Sequence, residues 1–378
     1  MAHGINIYPF KPFKDLADKR LQDRFQEAKK ITLDDLKQTL DRVHNPPPNI
    51  SGSDIEERIL SIFLDPNYLY GPDKYISSCK DVWIEKFRRF TDKEKPLKFV
   101  LMACPFKVPV PLKTLRVTVD IAELLLIIRL RNIAIWIETI YEPGAVVTIL
   151  AEGILGEGIG VPIEDRMHYR ESLEHSLSLI QTDPYVSIHN IDDIHEVIPN
   201  FQIKWDERSS SLRLFFNQGD TEVRSRFQRS FSSIYHMIPT RELKIENLMD
   251  IYNEKIPTES LPEDQQTIRG RLNEAATEAV FKYLAFLDVR DETGYLEKIV
   301  PDNLKLTLSP KPLNLGIHPI NAHTDILPHH AIPVYDLRFD HFTMKYWIDI
   351  RRSSSSFRPV YLVGDNEDAP FYYEQLED

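Results

Sequence analysis

Two short apolar runs, Leu97–Ala103 (LKFVLMA) and Ala145–Leu150 (AVVTIL), bracket an almost continuously apolar stretch from Ile121 to Ile140. Apolar runs of this length bounded by turn residues read as buried strands, and the longer stretch between them reads as a helix from about Asp120 to Thr139. Glu142-Pro143-Gly144 supplies the turn between that helix and the second strand. Strand, loop, helix, turn and strand in this order form a βαβ unit, which requires parallel strands and a right-handed crossover. The expected fold is therefore α/β, a largely parallel (Rossmann-like) sheet flanked by helices. Arg129, Arg131 and Glu138 interrupt the apolar stretch. Charges at those positions are costly in a bilayer, so the stretch is expected to be a buried helix and no membrane partner is expected.

The remainder of the chain is organised around this unit. Residues 13–44 carry two helix-like patterns, with Thr32 placed to cap the second. Asn45-Pro46-Pro47-Pro48-Asn49-Ile50-Ser51-Gly52 is a stiff break that a helix cannot cross. Residues 1–52 are thus expected to be an N-terminal helical extension and linker, and 53–378 the α/β domain. Ser53-Asp54-Ile55-Glu56 has the spacing of a capping box ahead of a helix, and another helix is expected at Asp81–Phe90. Further helices are expected around Arg166–Ile180, Asp220–His236 and Gln265–Leu287, with a strand near Val186–Ile188 and a strand-rich C-terminal part. Ser353–Ser356 reads as a loop tip.

With 58 acidic against 46 basic residues the net charge is −12, which repels phosphate backbones, so no nucleic-acid partner is expected. Two cysteines, Cys79 and Cys104, are too few for a disulfide framework or a structural zinc site. Reduced thiols and an N-terminus without an apolar signal core lead to the expectation of a cytoplasmic protein.

The segment from the first strand reads FVLMACPFKVPVPLKTLRVTVDIAELLLIIRLRNIAIWIETIYEPGAVVTILAEG. It resembles the signature region of the isocyanide (isonitrile) synthases of the pyoverdine–dityrosine biosynthesis family. There a strand leads into Pro-Phe and a Lys-Ser-x-Asn-x-x-Lys run, Asp-x-x-Glu opens a helix, and a Tyr-x-Pro-Gly turn precedes a strand ending in Ser-Asp-Gly. Pro105, Phe106, Lys107, Lys113, Asp120, Glu123, Tyr141, Pro143, Gly144 and Gly153 match. Weaker matches are Tyr169, Lys305–Pro310 (against Arg-Leu-Ser-Ile-His-Pro, for which Ile317-His318-Pro319 is the alternative) and Pro328-His329-His330 (against Pro-Trp-His). The sequence departs from the pattern at Val108, Val110, Ala151 and Ser309, where the family has polar groups, and at Glu152, where it has aspartate.

The resemblance implies condensation of an amino acid's amine with the ketone of ribulose 5-phosphate to give an isocyanide, or a related N-formyl product, in secondary-metabolite biosynthesis. Tyrosine or tryptophan is the amino acid it suggests, and a downstream biosynthetic enzyme is a partner. It requires no metal or redox cofactor. Such chemistry needs cations for phosphate and carboxylate and groups that move protons. Lys107, Lys113 and Lys305 are expected to bind anions, with Arg129 a further substrate-binding candidate or, with Arg131, a salt-bridged support. Glu123, Glu152 and His330 are expected to handle protons, His330 through a titration range near neutral pH. Tyr169 is expected to donate to a substrate oxygen or to sit at a core boundary. On this reading, loss of the Lys107 ammonium would abolish turnover and leave the fold intact. Asp120 and Glu123 are also an ordinary helix-capping pair. Cys104 reads as a small packed residue rather than a nucleophile. Gly153, Gly156, Gly158 and Gly160 lack dinucleotide spacing and are expected to form a tight loop close to a ligand.

Two other readings compete. His323-x-Asp325 has the spacing of a two-histidine, one-carboxylate iron site, with His341 as the distal ligand and Arg351 as a 2-oxoglutarate anchor. A family member that keeps its pocket but has become a non-catalytic small-molecule binder is the other.

Overall fold

The structure, a computed structural model, describes residues 23–42, 46–72, 74–108, 110–180, 184–240, 243, 245–309, 314–365 and 369–376. Its strands are β1 (Lys29–Ile31), β2 (Leu97–Ala103), β3 (Ala145–Ala151), β4 (Val186–Asn190), β5 (Leu304–Thr307), β6 (Leu315–Gly316), β7 (Ile332–Asp336), β8 (His341–Lys345), β9 (Phe357–Leu362) and β10 (Tyr372–Gln375). The helices used below are α1 (Leu33–Arg42), α2 (Ile55–Leu64), α3 (Lys80–Thr91), α4 (Ile121–Glu138), α5 (Ile154–Ile159), α6 (Ile163–Leu179), α7 (Phe201–Gln218), α8 (Thr221–Tyr235), α9 (Ile245–Tyr252), α10 (Glu263–Glu292) and α11 (Trp347–Arg352).

The strands form two sheets. The first has order β4-β3-β2-β5-β6 and every pairing in it is parallel. Leu97 stands opposite Ala145 and Ala103 opposite Ala151, so the βαβ unit forms as expected. Alternation along β2 divides its side chains between two cores: Phe99 and Leu101 pack with α2, α3 and α4, and Val100 packs with α7 and α10 on the other face. Helix α4 is buried almost all round because it touches β3 and β4 on one side and β7 of the second sheet on another.

The second sheet, order β1-β9-β10-β7-β8, mixes parallel (β1 with β9, β10 with β7) and antiparallel pairs. The strand-rich C-terminal part thus builds a sheet of its own. Lys29–Ile31 joins it as an edge strand inside the stretch that carries the helical patterns, because pairing with Val360–Leu362 satisfies its backbone. The second helical pattern forms as α1, where the Thr32 hydroxyl accepts from the Asp35 amide and donates back to its carboxylate. Residues 13–22 of the first pattern, Asn45 and Pro310 lie outside the described residues.

Two local details differ from the sequence reading. The cap of α2 is Asp54, which accepts from the Glu57 amide while Glu57 reaches back to Ser53, one residue later than the expected box. Helices α7 and α9 lie where the sequence reading placed no element; α7 buries only Phe201, Trp205, Ser209 and Leu212, too narrow a stripe to stand out. No helix among the described residues is long and apolar enough to cross a membrane.

Candidate active site

The parallel sheet grows from β2 outward to β4 on one side and resumes with β5 on the other, so β2 and β5 flank its switch point. Crevices at the carboxyl ends of such strands are where open α/β sheets bind ligands. A cavity of about 650 Å³ lies there, lined by Pro105 and Phe106 after β2, Glu152 after β3 and Thr307–Ser309 at the end of β5. Helices α5, α7, α8 and α10 supply the opposite wall, largely apolar with Ile159, Trp205, Ile234 and Ala279.

Three residues expected from the sequence meet in this cavity: Glu152, Lys305 and His330. Lys305 projects from β5 and is exposed; Glu152 sits directly past β3, with Arg290 Nη1 3.8 Å from its Oε1. His329 and His330 stand on a 3₁₀ turn, Pro328–His330, with ring centroids 4.4 Å apart. The expectation that His330 titrates near neutrality does not hold. Burial, reinforced by the positive charges of Lys113 and Lys107, pushes its imidazolium down to about 3, and burial drives His329 well below the ordinary histidine range. Both rings are therefore neutral at physiological pH, fit to accept a proton or a hydrogen bond but not to supply a standing cation.

Sequence reasoning missed Arg229, Tyr283 and Arg290 of this lining. They lie on α8 and α10, whose many charges read as solvated helix faces. Burial, with the nearby Glu152 carboxylate, raises the Tyr283 hydroxyl.

Beside the cavity lies a cluster of buried charge. Asp120 and Glu123 form the capping box of α4: Asp120 Oδ1 accepts from the Ala122 amide at 2.8 Å and Glu123 Oε2 from the Asp120 amide at 3.1 Å. Each keeps its second oxygen for Lys107, whose Nζ is 2.8 Å from Asp120 Oδ2 and 2.8 Å from Glu123 Oε1. The capping pair expected from the sequence forms, and the same two carboxylates pair with Lys107, which the sequence did not suggest. Burial alone would depress the Lys107 ammonium, but the two carboxylates outweigh it and raise it; burial lifts Asp120. The third Lys107 proton goes to the Pro328 carbonyl at 3.0 Å, which leaves none for an incoming anion. Tyr169 donates to Glu123 Oε1 at 3.3 Å from within the core. Cys104 is buried beside the same carboxylate, its thiol pushed up by burial and by Glu123, the opposite of an activated nucleophile.

The other candidates stand apart from the cavity. Arg129 is buried over the Tyr68 ring, 4.3 Å from its centroid, and donates to the carbonyls of Ile320 and Asn67. These contacts, to a ring and to backbone carbonyls, tie α4 to two loops. Lys113 is half-buried with its ammonium 5.9 Å from the Tyr346 ring centroid, and burial lowers it to about 8. The glycine-rich stretch folds largely as helix α5 rather than as the expected tight loop. Gly156 allows it to pack closely, since a Cβ there would lie 2.7 Å from Arg166 Cδ and 3.1 Å from Phe106 Cδ1.

The iron-site residues do not gather into a ligand set. The His323 and His341 rings stack at 4.2 Å, whereas Asp325 is 72% exposed and faces His318 at 3.9 Å. Arg351 pairs with Glu246 at 2.8 Å. Among the described residues no group of three or more His, Cys, Asp or Glu side chains could hold a metal ion.

The architecture is thus α/β, with a switch-point cavity lined by Lys305, Arg229 and Arg290, the Glu152 carboxylate and two neutral histidines. Residues 87–218 match the sequence model of the pyoverdine/dityrosine biosynthesis proteins. L-tryptophan isonitrile synthase AmbI2 of Fischerella ambigua is 27% identical over 143 residues, 38% of this chain and 42% of that protein. AmbI1 of the same organism, also an L-tryptophan isonitrile synthase, is 23% identical over 271 residues, 69% of this chain and 77% of that protein. L-tyrosine isonitrile synthase of Pseudomonas aeruginosa is 27% identical over 120 residues, 32% of this chain and 36% of that protein. The chain thus matches less than half the length of two of these three relatives. The crystal structure of the PvcA protein from Pseudomonas aeruginosa shares the fold, with a TM-score of 0.63 at 19% identity, covering 85% of this chain and 100% of that one. The chain is thus similar to the pyoverdine/dityrosine biosynthesis proteins over residues 87–218 and shares its fold with PvcA.

Proposed function

We propose that this chain is an isonitrile synthase-like enzyme that condenses the amine of an aromatic amino acid with ribulose 5-phosphate, leading to an isocyanide or N-formyl product. The observation that carries the reading is the single cavity at the ends of β2, β3 and β5, where Glu152, Lys305 and His330 face one space. Imine formation needs the amine as a free base and a proton delivered to the departing water. Glu152 is the group suited to exchange those protons, and a neutral His330 is suited to accept one later. Lys305, with Arg229, is suited to the sugar phosphate as a charge-assisted donor. The apolar wall with Trp205, Ile159 and Ile234 suits a large apolar side chain. The names of the isonitrile synthases similar to this chain support the amino-acid half of the reaction; the sugar phosphate rests on the family resemblance and the cations. We further propose residues 53–378 as the catalytic domain, preceded by the extension 1–52, and the cytoplasm as the place of action, with a downstream biosynthetic enzyme receiving the product.

The test is mass spectrometry of purified protein incubated with ribulose 5-phosphate and all common amino acids. An isocyanide or N-formyl amino acid, formed only when the sugar phosphate is present, is the expected outcome. Consumption of neither substrate would overturn the reading.

A further inference from the structure

Lys107 lies on the loop expected to hold substrate, yet all three of its protons are taken inside the protein, by Asp120, Glu123 and the Pro328 carbonyl. Pro328 opens the turn that carries His329 and His330 into the cavity wall. The next residue along the loop grips the same turn: the Val108 amide donates to the His329 carbonyl at 2.9 Å. The turn is closed on itself by the His330 amide, which donates to the Leu327 carbonyl at 2.9 Å. Two consecutive residues after β2 thus hold two consecutive carbonyls of a segment more than two hundred positions away. An exposed lysine could hold a carbonyl only loosely. Here the ammonium is itself fixed, because each carboxylate that binds it is locked by its other oxygen to the first turn of α4. An unbroken series of short contacts runs from the start of α4 through Lys107 to the histidine turn.

We infer that Lys107 is a positioning residue whose ammonium, clamped between Asp120 and Glu123, sets the Pro328–His330 turn and thereby aims His330 into the cavity. This rests on the proposed function only for the role of His330 in turnover; the anchoring itself is independent of the substrate. A rigid support of this kind matters because displacement of a reacting group by around an ångström costs about a hundredfold in rate.

The test has two arms. In the first, without substrate, the rate of His330 modification by diethyl pyrocarbonate is followed by peptide mass spectrometry. The variants are Lys107→Arg and the pair Lys107→Met with Glu123→Gln, which removes the ammonium together with one of its carboxylates. Release of the turn raises the rate in the paired variant by about tenfold, the size of a local opening that loses one hydrogen-bonded contact, and Lys107→Arg stays near wild type. An unchanged rate in the paired variant overturns the inference whatever the enzyme's substrate. In the second arm, kcat and KM are measured for those variants alone and combined with His330→Asn. A fall in kcat with KM for the amino acid retained, recovery with Lys107→Arg, and no further fall in the His330→Asn background are expected. Equal losses in both backgrounds would mean that Lys107 acts on its own and would overturn the inference. If wild-type protein makes no product, the proposed function fails while the first arm still decides the anchoring.

Discussion

Glu123 binds Lys107 Nζ at 2.8 Å with one carboxylate oxygen and the Asp120 amide at 3.1 Å with the other, so one side chain both caps α4 and holds a buried cation. The expectation that loss of the Lys107 ammonium leaves the fold intact is therefore revised. Lys107→Ala would strand two carboxylates in a site where Lys107 and Glu123 are completely buried. Removing one partner from a buried ion pair typically costs about 3–5 kcal/mol. Urea unfolding of Lys107→Ala is expected to give a loss of that size, and a loss under about 1 kcal/mol would show the cluster to be much less coupled than its geometry.

Arg129 gives the opposite pairing of effects. Its guanidinium spans the Tyr68 ring and the Ile320 carbonyl, and charged hydrogen bonds of this sort contribute about 1.5–3 kcal/mol each. Arg129→Met should lower the unfolding free energy by about that much, while the folded fraction keeps the wild-type KM for both substrates. A raised KM for the sugar phosphate with unaltered stability would return Arg129 to the binding site.

The histidine turn makes stability depend on pH in a defined direction. His329 and His330 resist protonation when folded but take up protons near 6.5 when unfolded. Below 6.5 the unfolded chain binds protons that the native state refuses, so stability present at neutral pH is lost as pH falls, until about 3 for His330. The limiting slope is about 1.4 kcal/mol per pH unit for each histidine. Asp120 works against this, since its raised carboxyl takes up a proton in the native state first. Comparing wild type with His330→Asn isolates the histidine: the variant's stability relative to wild type should improve steadily from pH 6 to pH 4. Parallel curves over that range would contradict the buried neutral ring.

Lys305 should separate binding from folding. It is exposed on β5 at the cavity edge, where substitutions usually change stability by less than about 0.5 kcal/mol. If it meets the phosphate, Lys305→Ala raises the KM for ribulose 5-phosphate by about tenfold to a hundredfold, the equivalent of one charge-assisted hydrogen bond. KM for the amino acid should not change. An equal rise for both substrates would argue for a general distortion of the cavity instead.

How much of this was readable beforehand varied with the range of the interactions. The βαβ unit was legible because each of its parts is local: Leu97–Ala103 and Ala145–Ala151 are short and apolar, and Asp120-x-x-Glu123 marks a helix start. The mixed sheet was not, because its edge strand β1 is three residues long and pairs with β9 at the far end of the chain. In the site, Glu152, Lys305 and His330 were found through the family resemblance, and Arg290 was not, since one arginine on a charged thirty-residue helix carries no local mark. Lys107 was singled out, but as an anion binder. Only the fold could reveal that Pro328 and two carboxylates already occupy it.

Glu152 is the residue on which the proposed chemistry depends most. It leaves β3 at the carboxyl edge of the sheet, lines the cavity, and lies 3.8 Å from Arg290 Nη1 through Oε1. Glu152→Gln keeps the size and most hydrogen bonds of the side chain but cannot take up a proton. General acid–base catalysis contributes about 10²–10⁴ in rate, so kcat should fall within that range while KM for the amino acid and the melting temperature stay near wild type. Glu152→Asp restores the residue type that the family pattern has at this position, with a shorter reach, and should recover part of the loss. The pH profile distinguishes this from a purely structural effect. If the carboxylate is the base, the acidic limb of kcat present in wild type disappears in Glu152→Gln and returns, displaced, in Glu152→Asp. A glutamine variant with the wild-type rate would remove Glu152 from proton transfer and leave His330 as the remaining base on the cavity wall.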